Sequence, residues 1–201
     1  MAWIEIINYD KAKGKLKKLF DKIKGPENYI DNIMLIHSLR PNTLEGHMSL
    51  YKNALHHQNN QLPKWLLEAI GGYVSLLNNC QYCVKHHFTG MARELNNKTV
   101  SSAIIRSLEN DAPDSYFQGV ELAIMDYVRK LTLTPGKMKQ KDVSLLQVTG
   151  ITDGEVLEIN QVVAYFAYAN RTVLGLGVDT KGEIIGLSPG NETDEGDWHH
   201  K

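Results

Sequence analysis

Apolar residues recur along most of this chain with the period of an amphipathic helix, and the recurrence breaks where proline, glycine or paired asparagines intervene. Leu16, Leu19, Phe20 and Ile23 form the first stripe, which Gly25-Pro26 ends. Ile30, Ile33, Met34 and His37 predict a second helix over 29–39, stopped by Arg40-Pro41. A third, capped by Asn42 or Thr43, runs to about His57 with Leu44, Met48, Tyr51 and Leu55 inward. Pro63 opens a fourth that reaches about Leu77, and Asn78-Asn79 separates it from a fifth over about 80–95. Thr99 or Ser101 caps the next, followed by helices over 115–131, 139–149 and 153–174. The last is rich in aromatics (Tyr165, Phe166, Tyr168). Residues 1–9 read as an extended lead-in, 183–187 as a short strand or extended arm, and 188–201 as a mobile tail. Without two alternating strands the expectation is an all-α protein. It forms one domain over 1–201, with its core at about 10–178.

Composition narrows the function classes. Lysines at 11, 13, 15, 17, 18, 22 and 24 surround a proper apolar stripe and read as a solvated helix face. The formal net charge of −1 supplies no field for nucleic acid or an anionic membrane. No apolar run approaches the roughly 20 residues a bilayer requires, and the N-terminus lacks a secretory apolar segment. A cytoplasmic protein with neither a nucleic-acid nor a membrane partner is expected.

The chemistry gathers in 68–87, EAIGGYVSLLNNCQYCVKHH, which holds both cysteines of the chain, Cys80 and Cys83. A close C-x-x-C pair in a reducing compartment is redox-active or metal-binding rather than stapling. If Cys80 starts a helix, Cys83 and His87 follow at i+3 and i+7 on the same face. A helix N-terminus favours the thiolate, and an imidazole one turn on can take and return its proton. Glu68 would lie about 18 Å from Cys80 on one continuous helix. With a break at Asn78-Asn79, however, an antiparallel hairpin pairs residues whose numbers sum to about 155, and Glu68 then meets His87. In that scheme Gly71-Gly72 faces the cysteines and leaves room for close helix approach or a small substrate. Cys80, Cys83, His86 and His87, with His56-His57 as a second pair, could instead bind zinc, but the residues look helical and lack knuckle-like turns. His37 and His47 read as packing or surface residues, and His199-His200 as solvated. One internal echo is open: Glu158 and Asn170 repeat the spacing of Glu68 and Cys80.

The pattern Glu-x11-Cys-x2-Cys-x3-His on two consecutive helices resembles the alkylhydroperoxidase D-like (AhpD-like) branch of the carboxymuconolactone decarboxylase family. LLNNCQYCVKHH looks most like its peroxidase-related members. The resemblance also takes in YDKAKGKLKKLFDKI and, more loosely, YFAYANRTVLGLGV, so it spans most of the chain. It implies an AhpD-like helical bundle whose antiparallel hairpin carries the C-x-x-C, with short extended arms at both ends. It further implies a thiol peroxidase without cofactor or metal. Cys83 would attack the hydroperoxide, Cys80 would resolve the sulfenic acid to a disulfide, and Glu68 and His87 would relay protons. A lipoyl-bearing or thioredoxin-like dithiol would reduce the disulfide, and the protein would form a homo-oligomer. Tyr82 stands where well-studied members have a histidine, which removes one acid/base candidate. Because the decarboxylases of the wider family lack the cysteine pair, its presence argues against lactone chemistry. A disulfide reductase with a non-peroxide substrate and a non-catalytic redox sensor are the alternatives.

Overall fold

A computed structural model describes residues 2–189 and 198–200 of the chain. Among these residues there are nine α-helices and no strand. They are α1 (Gly14–Ile23), α2 (Asn32–Leu35), α3 (Pro41–Leu55), α4 (Lys64–Leu77), α5 (Gln81–Leu95), α6 (Lys98–Glu109), α7 (Gly119–Leu133), α8 (Gln140–Gln147) and α9 (Asp153–Leu176). No described helix is long and apolar enough to cross a membrane.

α4 is the axis of the bundle. Its sequence from Leu66 to Ser75 is buried without interruption, as expected of a helix apolar on all sides. α5, α7 and α9 pack around it, and α3 and α1 close the remaining side. The only carboxylate of α4, Glu68, is therefore carried into the core.

The hairpin between α4 and α5 turns where expected. Asn79 takes the left-handed conformation (φ 58°), which asparagine tolerates better than most residues. The Cys80 N–H then closes the turn on the Ser75 carbonyl at 2.8 Å. Gly71 and Gly72 serve helix approach alone. A Cβ at 71 would lie 2.2 Å from the Phe166 ring of α9, and one at 72 would lie 2.2 Å from the Phe88 ring of α5. They face aromatic rings rather than the cysteines, so the expected room for substrate is absent.

Other boundaries shift for local reasons. The helix expected over 29–39 contracts to Asn32–Leu35, because Tyr29 and Asp31 are extended and the turn after Leu35 leads into Arg40, which Pro41 keeps out of the helical region. α3 starts at Pro41 itself, so neither Asn42 nor Thr43 caps it. α6 is capped by Asn97, whose side chain accepts from Val100 N at 3.1 Å, rather than by Thr99 or Ser101. Residues 113–115 form a separate 3₁₀ turn before α7.

Both ends of the described chain are extended arms. Trp3 N donates to Leu176 O at 2.8 Å, laying the N-terminal arm over the end of α9. The C-terminal arm returns from Gly177 across α2 and α5. Asn32 Nδ2 donates to Asp179 O (2.9 Å), and Ile184 N donates to Tyr29 Oη (3.0 Å). Arg93 donates to Gly186 O and, at 2.9 Å, to Ser188 Oγ. Gly186 (φ 85°) crosses α5 so closely that a Cβ there would come 2.5 Å from Thr89, and it is required on both counts. Of the tail expected to be mobile, 190–197 and Lys201 lie outside the described residues. His200 is described and buried, not solvated, and pairs with Pro189 in an isolated antiparallel bridge.

Candidate functional site

The hairpin brings Glu68 of α4 onto His87 of α5. Glu68 Oε2 lies 2.7 Å from His87 Nδ1, with the carboxylate only 2% exposed. Gly90 makes room for it, since a Cβ there would sit 3.0 Å from the Glu68 carboxyl carbon. With Nδ1 engaged, Nε2 is the nitrogen of His87 left to exchange a proton. The Phe166 edge packs against this imidazole at a centroid distance of 4.4 Å and 88°. His56 approaches the other oxygen, Nε2 to Glu68 Oε1 4.0 Å.

Cys80 is the N-cap residue of α5 and Cys83 lies in its first turn. Both thiols are free and buried, with their Sγ atoms 3.3 Å apart. A disulfide needs about 2.05 Å, so closing it requires a shift of little more than 1 Å. The two thiols share a hydrogen bond, and that bond pulls Cys80 below its ordinary pKa. The same hydrogen bond, together with burial, pushes Cys83 up. Of the two sulfurs, the pair therefore favours the thiolate on Cys80. Asn170 of α9 and Ser75 of α4 support the pair. Asn170 favours the thiolate form of both sulfurs and Ser75 that of Cys83, and Asn170 Nδ2 donates to Ser75 Oγ at 3.0 Å. Asn78 Nδ2 holds Asn170 Oδ1 at 3.0 Å. Glu158, the other half of the echo, instead accepts from Gln61 N and Leu62 N in the loop before α4.

Cys83, Glu68 and His87 line one cavity of about 40 Å³. At roughly 10–15 Å³ per water, it has room for about three or four. Met34, Tyr51, Tyr165 and Phe166 give it an aromatic and apolar wall. Gly186, Leu187, Ser188 and His200 of the C-terminal arm close it. Cys80 faces a separate surface groove with Gln81, Lys85, Val173 and Thr180.

Tyr82, in the place of the family histidine, is not a cavity acid. Its hydroxyl donates to Glu183 Oε1 (2.7 Å) and accepts from Ile33 N (3.2 Å). Burial, and then Glu183, hold it well above the ordinary tyrosine pKa. His86 stacks on Tyr82 at 4.7 Å, accepts from Gly186 N at 3.4 Å and lies 3.5 Å from Glu183. Both residues clamp the C-terminal arm. Among the described residues, no group of three or more His, Cys, Asp or Glu side chains is placed to hold a metal ion.

Periodicity gave no signal for Asp31 and His200. Asp31, at the N-cap position of α2, makes no cap bond; Glu183 accepts from Asn32 N at 2.6 Å instead. Asp31 Oδ2 lies 2.7 Å from His200 Nδ1. His37 and His47 are packing residues of the same region, their rings 5.0 Å apart.

These buried imidazoles set an acid limit on the fold. Burial holds His47 down at about 3, and it also lowers His37 and His56. In the unfolded chain they protonate near pH 6.5. Stability is therefore complete above about pH 6.5 and falls as pH drops towards 3. His47 alone is expected to remove about 2 kcal/mol by pH 5, with His56 acting in the same direction. Urea midpoints at pH 7 and pH 5 check this, and equal midpoints would show that the imidazoles are protonated in the folded state.

No family model matches the sequence, and no curated protein matches it. Solved structures do. A peroxidase-related protein from Ralstonia eutropha JMP134, described as an alkylhydroperoxidase AhpD core, superposes with a TM-score of 0.73 at 19% identity over 89% of this chain and 91% of that one. A peroxidase-related protein from Silicibacter sp. TM1040 gives 0.74 at 18% over the same shares. The debrominase Bmp8, in complex with 2,3,4-tribromopyrrole, gives 0.66 at 17% over 87% of this chain and 89% of that one.

Proposed function

We propose that this chain, whose fold is that of the AhpD-like peroxidase-related proteins, is a thiol-dependent oxidoreductase that reduces hydroperoxides through Cys83 and Cys80. The observation that carries the proposal is that Cys83 and the Glu68–His87 pair (2.7 Å) line one small cavity. His87 takes the Cys83 proton, directly or through a water. The thiolate attacks the terminal peroxide oxygen, the O–O bond breaks, and the alcohol or water leaves with a proton. Cys83 is then a sulfenic acid, which Cys80 attacks, forming the disulfide and releasing water. Two electrons have passed from the dithiol to the peroxide. An external dithiol of lipoyl or thioredoxin type returns them by exchange. A homo-oligomer working in the cytoplasm belongs to the same proposal.

A second proposal keeps the dithiol and changes the oxidant. The aromatic wall of Tyr51, Tyr165 and Phe166, together with the fold shared with a debrominase, favours a non-peroxide electrophile or disulfide.

One titration separates the two. Reduced protein is mixed with hydrogen peroxide in a stopped-flow instrument and its thiols are counted by mass spectrometry. Fast loss of both thiols per peroxide is expected. Thiols inert to peroxide but exchanging rapidly with oxidised lipoamide would overturn the peroxidase in favour of the second proposal.

A further inference from the structure

The cavity carries a second carboxylate–imidazole pair that the cycle above does not use. Asp31 and His200 are 169 positions apart, meet at 2.7 Å and are both about 5% exposed. Each keeps a buried polar atom without a hydrogen-bond partner, Asp31 Oδ1 and His200 Nε2. Both residues line the cavity that Cys83, Glu68 and His87 line. The Tyr51 ring neighbours both pairs, its centroid 6.4 Å from His87 and 6.0 Å from His200.

A buried polar atom without a partner costs about 1–3 kcal/mol, and here an acceptor and an imidazole nitrogen in that condition belong to one ion pair at one cavity. A ligand oxygen that both accepts and donates would satisfy both. The position is also built rather than incidental. The bridge to Pro189 holds His200, and at Gly25 a Cβ would come 3.1 Å from the His200 carbonyl oxygen. Asp31 leaves its helix-capping role to Glu183 and turns to His200.

We infer that Asp31–His200 is the acid side of the reaction, with His200 as an imidazolium whose Nδ1–H is held by the Asp31 carboxylate and whose Nε2–H protonates the oxygen that leaves. The inference rests on the peroxidase reading. Thiolate attack on the terminal oxygen expels alkoxide or hydroxide, which takes the His200 proton and departs as alcohol or water. The Cys83 proton is meanwhile on His87. One proton enters at His87 and one leaves from His200, and solvent restores both between turnovers. For hydrogen peroxide the leaving oxygen also bears a hydrogen, which Asp31 Oδ1 accepts. A cavity with room for about three or four waters suits hydrogen peroxide and the smallest hydroperoxides, which are the substrate class.

The test uses leaving groups. Hydroxide is a poor one, since water has a pKa of about 15.7, whereas acetate leaves from peracetic acid without protonation. The full chain and His200→Gln are oxidised by each reagent under single-turnover conditions, with Asp31→Asn as a second variant. His200→Gln is expected to slow hydrogen peroxide about 10²-fold, the usual contribution of a general acid, and to slow peracetic acid less than about tenfold. Asp31→Asn is expected to change the ratio in the same direction. Equal slowing of both oxidants would mean that the pair only fastens the arm, and unchanged rates would mean that it does nothing. Either result overturns the inference and leaves the peroxidase reading standing. A wild-type protein inert to both oxidants removes that reading and the inference together.

Discussion

Cys83→Ser is expected to abolish reaction with peroxide, by roughly 10³-fold or more, the scale of loss when an activated nucleophile is removed. Cys80→Ser is expected to react once and stop, leaving one oxygen on Cys83. The two sulfurs are not equivalent. Their shared hydrogen bond favours the thiolate on Cys80 over Cys83, yet Cys80 borders the surface groove while Cys83 lines the cavity with His87. Charge alone would nominate Cys80 as the attacking sulfur, and access to the cavity nominates Cys83. Geometry has priority for a bond-forming step, because a proton can cross a hydrogen bond but a buried sulfur cannot change cavities. The 3.3 Å separation then makes resolution fast once the sulfenic acid exists. Mass spectrometry after a single addition of peroxide distinguishes the variants. Oxidation of Cys80 in Cys83→Ser, at a rate near that of the wild type, would reverse the assignment.

Much of this site could be read from local spacing. Cys83 and His87 lie one turn apart on one cavity, and Glu68 reaches His87 because Asn78-Asn79 turns the chain sharply enough for the hairpin arithmetic to hold. The same reasoning fails where contacts depend on the return of a distant segment. His200 has no periodic context, and its burial depends on an arm pinned by Glu183, Arg93 and Tyr82. Asp31 sits in a stretch whose apolar spacing imitates a helix, and contacts from residues about 150 positions away hold it in a different conformation. Asn170 was visible only as a spacing echo, and its meaning came from α9 packing on α4 beside the thiols. The all-α class was legible throughout, since stripes and breakers are local. What closes over the cavity was not.

Glu68→Gln is expected to slow thiol oxidation about 10³-fold, within the range that positioned acid–base groups contribute, while the fold keeps its stability. The glutamine fits the space opposite Gly90 and can still bond His87 Nδ1. It removes the charge that balances the imidazole when it takes the thiol proton. It can also present its N–H to Nδ1, placing the ring proton on Nε2, where a base is needed. Loss of the tautomer and of the counter-charge both act on the proton-transfer step, so the rate falls at every pH. Volume is conserved, so the melting temperature is expected to stay within about 4 °C, or about 1 kcal/mol for a chain of this size. A merely structural Glu68 would give the opposite pattern, a lower melting temperature with thiol oxidation largely intact. Stopped-flow oxidation and a thermal melt on the same preparation decide between them, and a variant retaining a third or more of the wild-type rate would remove Glu68 from the mechanism.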